Sequence, residues 1–178
     1  MSQERIKQRK FLVQDKRIEL NIMLPRIYCD LDQVLVDFLG AAEQVLGEPY
    51  TSEKKYVLEE ISPNFYRNLE WIEGGFCLWE FLSKFEMEIL SASPRTWMPN
   101  AKKDKNEWID ENLGEEVKRN LVSRHEKKNF ALSEKGQPNL LIDDHLKNVS
   151  EWQLAGGVAI HHTSLEKTLR KLQEMGFE

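Results

Sequence analysis

The chain holds only two cysteines, Cys29 and Cys77, among 178 residues. Neither lies in a CxxC or Cys/His spacing, which excludes a disulfide framework and a zinc site of the usual kind. Cys29 falls inside an apolar run and reads as a small core residue, so a reducing cytosol is the simplest compartment. No apolar run approaches the roughly 18 residues of a membrane span. Met1–Lys10 is polar and mixed in charge, with no signal-peptide core, so a soluble, cytoplasmic protein is expected. A basic excess is also missing: 25 Lys+Arg stand against 30 Asp+Glu, a net charge of −5. That argues against stable binding to nucleic acid, which favours basic surfaces. It leaves room for a small anionic ligand in a local positive pocket. There is no internal repeat and no low-complexity linker. What is present, 40% hydrophobic and 31% charged residues, suffices for a folded core. The length fits one domain with a small insertion.

The informative stretch is Arg26-Ile27-Tyr28-Cys29-Asp30-Leu31-Asp32-Gln33-Val34-Leu35-Val36-Asp37-Phe38. A short buried strand ends at two carboxylates one residue apart, at the carboxyl edge where open α/β sheets place their ligands. Their repulsion is costly unless a cation or a shared proton offsets it.

Along the chain, partial alternation over Phe11–Met23 favours one or two short strands around Gln14-Asp15-Lys16. Helices are expected over Phe38–Leu46, closed by Gly47, and from a Thr51 or Ser52 cap to Ile61. Asp37 either points into a pocket or caps the first of these. Further helices are expected over Phe76–Phe85, Asn100–Leu113, Lys147–Leu154 and Ser164–Met175. Strands are expected at Met87–Leu90, Asn120–Val122, Asn139–Ile142 and Val158–Ile160. His125–Lys128 reads as a polar loop and Asn129–Leu132 as a short helical turn. Strands alternating with helices imply an α/β fold, a three-layer Rossmann-like and mostly parallel sheet. Leu39–Gly75 supplies helices without a strand and reads as an insertion over the strand ends.

Four strand ends then deliver polar groups to one edge: Asp30 and Asp32, Ser91 and Ser93, Lys127 or Lys128, and Asp143 and Asp144. So many carboxylates call for a hard cation, and Mg²⁺ suits oxygen ligands and bridges to phosphate. A lysine and a hydroxyl can hold the remaining phosphate oxygens. One carboxylate can attack phosphorus while another carries the proton.

These residues resemble the haloacid dehalogenase superfamily of phosphohydrolases. Asp30-Leu31-Asp32-Gln33-Val34 is similar to its first motif, Ile89-Leu90-Ser91 to its second, a loop lysine to its third, and Leu140–Asp144 to its fourth. Asp30–Phe38, Ser93-Pro94, Leu140–Asp144 and Phe65–Gly75 resemble its 5′(3′)-deoxyribonucleotidase branch, and the resemblance spans about Ile27 to His162. It implies a core of residues 25–38 and 76–178, a small helical cap of residues 39–75, and an N-terminal extension of residues 1–24. It implies a phosphatase acting through an aspartyl-phosphate on (deoxy)nucleoside monophosphates. Asp30 would be nucleophile and metal ligand. Asp32 would be the general acid/base and would bind metal through its carbonyl. Asp144 would bind metal directly, with Asp143 supporting it. Ser91, with Ser93 as helper, and Lys127, or Lys128, would bind phosphate. Phe38 would stack on the base, with Tyr66 and Trp71 as further cap contacts. Two departures stand out: Gln33 replaces the usual glycine, and Ser-Ala-Ser-Pro replaces Thr-Ser-Pro, placing Ala92 where a hydroxyl is usual.

Other readings compete. A phosphatase of nucleic-acid 3′ ends or of other small phosphate esters would use the same acids. A non-catalytic phosphoacceptor module of the receiver type combines acids, a hydroxyl and a lysine, but with its phosphoacceptor on a later strand. His161-His162 lacks a third ligand at useful spacing and reads as a strand end. The tryptophans read as core. A homodimer is compatible with these features.

Overall fold

The computed structural model describes residues 24–93 and 100–178, the side chains of residues 55, 56 and 59 excepted. The strands expected around Gln14–Lys16, Pro94 of the Ser93-Pro94 step, and Trp97 lie outside the described residues. Five strands form one sheet: β1 (Ile27–Cys29), β2 (Met87–Ala92), β3 (Arg119–Val122), β4 (Leu140–Asp143) and β5 (Val158–His161). Their order is β3-β2-β1-β4-β5, and all four pairings are parallel. Successive strands are thus joined by crossovers. The order reverses at β1, because β2 and β3 extend one way and β4 and β5 the other. The cleft between the carboxyl ends of β1 and β4 is the topological switch point, the natural ligand site of such a sheet.

Among the described residues the α-helices are α1 (Phe38–Leu46), α2 (Lys55–Ile61), α3 (Gly75–Leu82), α4 (Ala101–Asn112), α5 (Leu146–Leu154) and α6 (Leu165–Glu174). Alternation along the strands divides the core between two faces. Ile27, Cys29, Ile89, Leu140, Ile142 and Ile160 pack with Leu78, Leu82, Trp108, Leu172 and Phe177. Tyr28, Leu90 and Leu141 face Trp152 and Ala131 on the other side. Helices α3, α4 and α6 therefore cover one face and α5 the other, giving three layers.

Local chemistry sets the ends. Asp37 caps α1, accepting a hydrogen bond from Gly40 N at 2.9 Å, which decides between its two expected roles. Gly47 closes α1 at φ 68°, a conformation glycine adopts without strain. The loop expected at His125–Lys128 is instead a 3₁₀ helix, Arg124–Phe130. Ser123 and Glu126 form a capping box there, with Ser123 N donating to Glu126 Oε2 at 2.8 Å, and this starts the turn earlier than the expected Asn129–Leu132.

The chain between β1 and α3 leaves and re-enters the core at one place. Asp37 N donates to Glu70 O at 3.0 Å and Ile72 N to Leu35 O at 2.9 Å. Val36 and Trp71 form an antiparallel bridge between these bonds. Between the two crossings lie α1, a 3₁₀ turn at Ser52–Lys54 and α2, with no strand. Among the described residues no helix is long and apolar enough to cross a membrane.

Candidate active site

Asp30 follows β1 directly and is buried. Its Oδ1 accepts from Leu31 N at 2.8 Å, and its Oδ2 pairs with Lys127 Nζ at 2.8 Å. Asp143 ends β4 and is fully buried. Its Oδ2 lies 2.7 Å from the same Lys127 Nζ, so one buried ammonium bridges the two acids across the switch point. Lys127 is buried because the 3₁₀ turn directs it inward; Lys128, the alternative lysine, is exposed. The neighbouring carboxylates, outweighing burial, raise the Lys127 pKa above its usual value and keep it charged.

Asp30, Asp143 and Asp144 each offer a carboxylate oxygen, and these lie within 4.8 Å of one another. Asp143 is already well supplied with donors. Besides Lys127, it accepts from His145 N at 2.9 Å and, at 3.0 Å to each oxygen, from Asn148 Nδ2. The Asn148 side-chain Oδ1 in turn accepts from Arg124 Nη1 at 3.1 Å. The Asp144 carboxylate accepts no hydrogen bond among the described residues. Burial, then the charges of Asp30 and Asp143, push its pKa up to about 7. The Asp144 backbone carbonyl lies 2.8 Å from His161 Nε2, at the end of β5 beside this edge. His162 bonds instead to Thr168 Oγ1 at 2.9 Å.

Asp32, one residue past Leu31, faces a different cation. Its Oδ2 lies 2.6 Å from Lys105 Nζ, while Oδ1 is buried and unpartnered. Lys105 is fully buried on α4 and also donates to Ser91 Oγ at 3.1 Å and Ala92 O at 2.9 Å. The two acids consequently diverge. For Asp30, burial would raise the pKa, but Lys127 and Lys105 outweigh it and hold the carboxyl below the usual range. For Asp32, burial and the charge of Asp30 win over Lys105, and the pKa rises. Gln33, at φ 58°, makes the tight turn after Asp32; this left-handed conformation is the physical reason a glycine suits that position.

Ser91 and Ser93 are both buried at the end of β2, with Ser93 N donating to Val122 O at 2.8 Å. Half-buried Phe38 sits in an aromatic group with Tyr50 (5.1 Å between ring centroids), Phe65 (5.7 Å) and Tyr66 (5.8 Å, stacked). Tyr66 connects this group to the acids, because Lys105 Nζ lies 4.7 Å from its ring centre. Trp71 has Phe76 and Trp108 as its described ring neighbours, at 5.4 and 5.0 Å, and does not join the Phe38 group. Sequence reasoning missed Lys105 and Asn148. Lys105 did leave a signal: it shares a helical face with Ala101, Trp108 and Ile109, at i−4, i+3 and i+4. Asn148 left none.

A parallel sheet that brings an Asp-x-Asp, a buried lysine and a second acidic pair to its switch point defines the haloacid dehalogenase class of α/β hydrolases. The solved L-2-haloacid dehalogenase of Xanthobacter autotrophicus shares the fold, with a TM-score of 0.53 and 12% identity over 88% of this chain and 85% of that one. The form of that enzyme with chloropropionic acid covalently bound gives 0.52 at the same identity and coverage. At such identity the likeness is one of fold alone. A protein of Vibrio phage KVP40, provisionally named a 5′(3′)-deoxyribonucleotidase, is 32% identical over 128 residues, 70% of this chain and 68% of that one. Residues 48–167, more than half of the chain, match the family model described as 5′ nucleotidase, deoxy (pyrimidine), cytosolic type C protein, and the chain belongs to that family. The protein is a phosphatase. The matched span begins after Asp30 and Asp32, so the first motif rests on the geometry above.

Proposed function

We propose that this phosphatase is Mg²⁺-dependent, forms an aspartyl-phosphate, and removes phosphate from (deoxy)nucleoside monophosphates. The observation that carries the mechanism is the opposite settings of the two acids in Asp30-Leu31-Asp32. Asp30, kept ionised beside Lys127, is suited to attack phosphorus. Asp32, with a raised pKa, is suited to hold a proton, give it to the leaving oxygen, and take one back from the attacking water. Lys127 offsets charge on the nucleophile and the phosphoryl group, and Ser91, with Ser93, donates to phosphate oxygens.

The cluster of Asp30, Asp143 and Asp144 fits a hard cation: the donors are all oxygen, and burial with the charges of Asp30 and Asp143 outweighs Lys127 at Asp144, so its ionised form lacks sufficient compensation. Asp30 and Asp144, with the Asp32 carbonyl, would hold Mg²⁺, and Asp143 would support it while its own oxygens serve Lys127, His145 N and Asn148. The metal would supply charge neutralisation at the phosphoryl oxygens. The name of the phage relative supports the nucleotide reading, as does the aromatic face of Phe38 and Tyr66 beside Lys105. Residues 39–75 then serve as a small cap on a core of residues 25–38 and 76–178.

Phosphate release from a panel of ribo- and deoxyribonucleoside 5′- and 3′-monophosphates, with an end-phosphorylated oligonucleotide alongside, tests the proposal. Free deoxynucleotides should be preferred, activity should require Mg²⁺, and Asp30→Asn should abolish it. Unchanged activity in that variant would remove Asp30 as nucleophile.

A further inference from the structure

Lys105 is the feature that the mechanism above leaves without a role. A fully buried lysine is rare unless its charge is matched. Here the ammonium's three protons are all committed, to Asp32 Oδ2 at 2.6 Å, Ser91 Oγ at 3.1 Å and Ala92 O at 2.9 Å. Its remaining side lies against the Tyr66 ring. No proton is left for a phosphate oxygen, so Lys105 does not duplicate Lys127.

We infer that Lys105 is a positioning residue for proton transfer to the leaving group, acting through Asp32 and Ser91 rather than on the substrate. This deepens the function proposed above and rests on it. Oδ1 of Asp32 is closed off while the side chain as a whole is 26% exposed, which leaves Oδ2, the oxygen Lys105 holds, for proton transfer. Lys105 fixes that oxygen in place. It also settles the direction of the Ser91 hydroxyl. Ser91 Oγ accepts from Lys105, so its own hydrogen is free to be donated, and a phosphate oxygen is an acceptor. Chemically, Asp30 bonds to phosphorus as the phosphorus–leaving-oxygen bond breaks. The electron pair of that bond stays on the leaving oxygen, which takes the proton from Asp32. Water then attacks the phosphorus of the aspartyl-phosphate and gives a proton to Asp32, while the Asp30 oxygen–phosphorus bond breaks, its electron pair returning to the Asp30 carboxylate as inorganic phosphate leaves.

The test is leaving-group dependence. A nucleoside 5′-monophosphate releases a poorly acidic alcohol that needs the proton. p-Nitrophenyl phosphate releases an acidic phenol that needs it little. The readout is kcat/KM, which in this scheme covers only the steps through aspartyl-phosphate formation and omits its hydrolysis. Lys105→Met should lower kcat/KM for a deoxynucleoside 5′-monophosphate by about 10²-fold and for p-nitrophenyl phosphate by less than about 10-fold, in line with the usual worth of positioned proton transfer. Asp32→Asn should show the same split, and Lys105→Arg should recover part of the nucleotide rate. Lys105→Gln, which retains donors for Ser91 and Ala92 O, must show the split if the methionine variant fails to fold. An equal fall for both esters in folded variants, or no fall, overturns the inference while leaving the phosphatase reading intact. Wild-type protein that releases phosphate from neither ester overturns the reading itself.

Discussion

The under-compensated charge of Asp144 makes stability depend on pH in an unusual direction. Its pKa is about 7 in the folded protein against a usual 3.8, a rise caused first by burial and then by Asp30 and Asp143. Folding then favours the protonated form, so the contribution is fully present below pH 4 and is lost as pH rises through 7. A shift of about three units corresponds to about 4 kcal/mol, and partial exposure reduces that to about 2–4 kcal/mol. Metal-free protein should therefore gain stability as the pH is lowered from 8 to 5. His162, whose pKa is lowered mainly by burial, acts the other way near pH 6.5. The measurement is urea denaturation of chelator-treated wild type and Asp144→Asn from pH 4.5 to 8, read as the difference between them, in which His162 cancels. Wild type should be the less stable of the two at pH 8, and the gap should close toward pH 5. Mg²⁺ at 100 times its Kd should add about 2.7 kcal/mol to wild type at pH 8 and much less to the variant. Parallel pH traces for the two proteins would refute the assignment of the shift to Asp144.

Three further outcomes are expected. Lys127→Met leaves Asp30 and Asp143 facing each other without their shared cation, and should cost about 3–5 kcal/mol in metal-free urea melts, with activity falling at least 10²-fold. Asn148→Leu removes the amide that holds both oxygens of Asp143, and should raise the Mg²⁺ concentration needed for half-maximal activity by about 10–100-fold, with a loss of about 1–3 kcal/mol in a thermal melt. Gly75→Ala would place a Cβ 2.3 Å from the backbone oxygen of Leu35, and should cost at least about 1–3 kcal/mol in a thermal melt.

The strands were legible because β1 and β4 are short apolar runs that end abruptly at carboxylates, a pattern that only a buried parallel strand explains well. The acidic edge followed from the same ends. The choice between Lys127 and Lys128 was not legible, since adjacent residues in a charged run differ only in which way the turn points them. Ser123 and Glu126 fix that direction, and their capping box is recognisable in sequence once a helical turn is suspected. Lys105 was hidden for a related reason. It stands in Lys102-Lys103-Asp104-Lys105, which reads as a solvated helix face, and only its register with Trp108 shows that it turns inward. Phe38 was read as a ring for the substrate; its packing against Tyr50, Phe65 and Tyr66 shows that it also belongs to the protein's own aromatic cluster.

The paired crossings at Asp37–Glu70 and Leu35–Ile72 give the segment between them the standing of an exchangeable part. Its two ends are already tied together, so lengthening or replacing what lies between them adds only the slowly growing entropy of a larger loop. The acids sit outside that loop, on strand ends held by the sheet. Variation and engineering in residues 38–69 should therefore leave the strand-end acids in place, provided that Tyr66, which packs against Lys105, is kept.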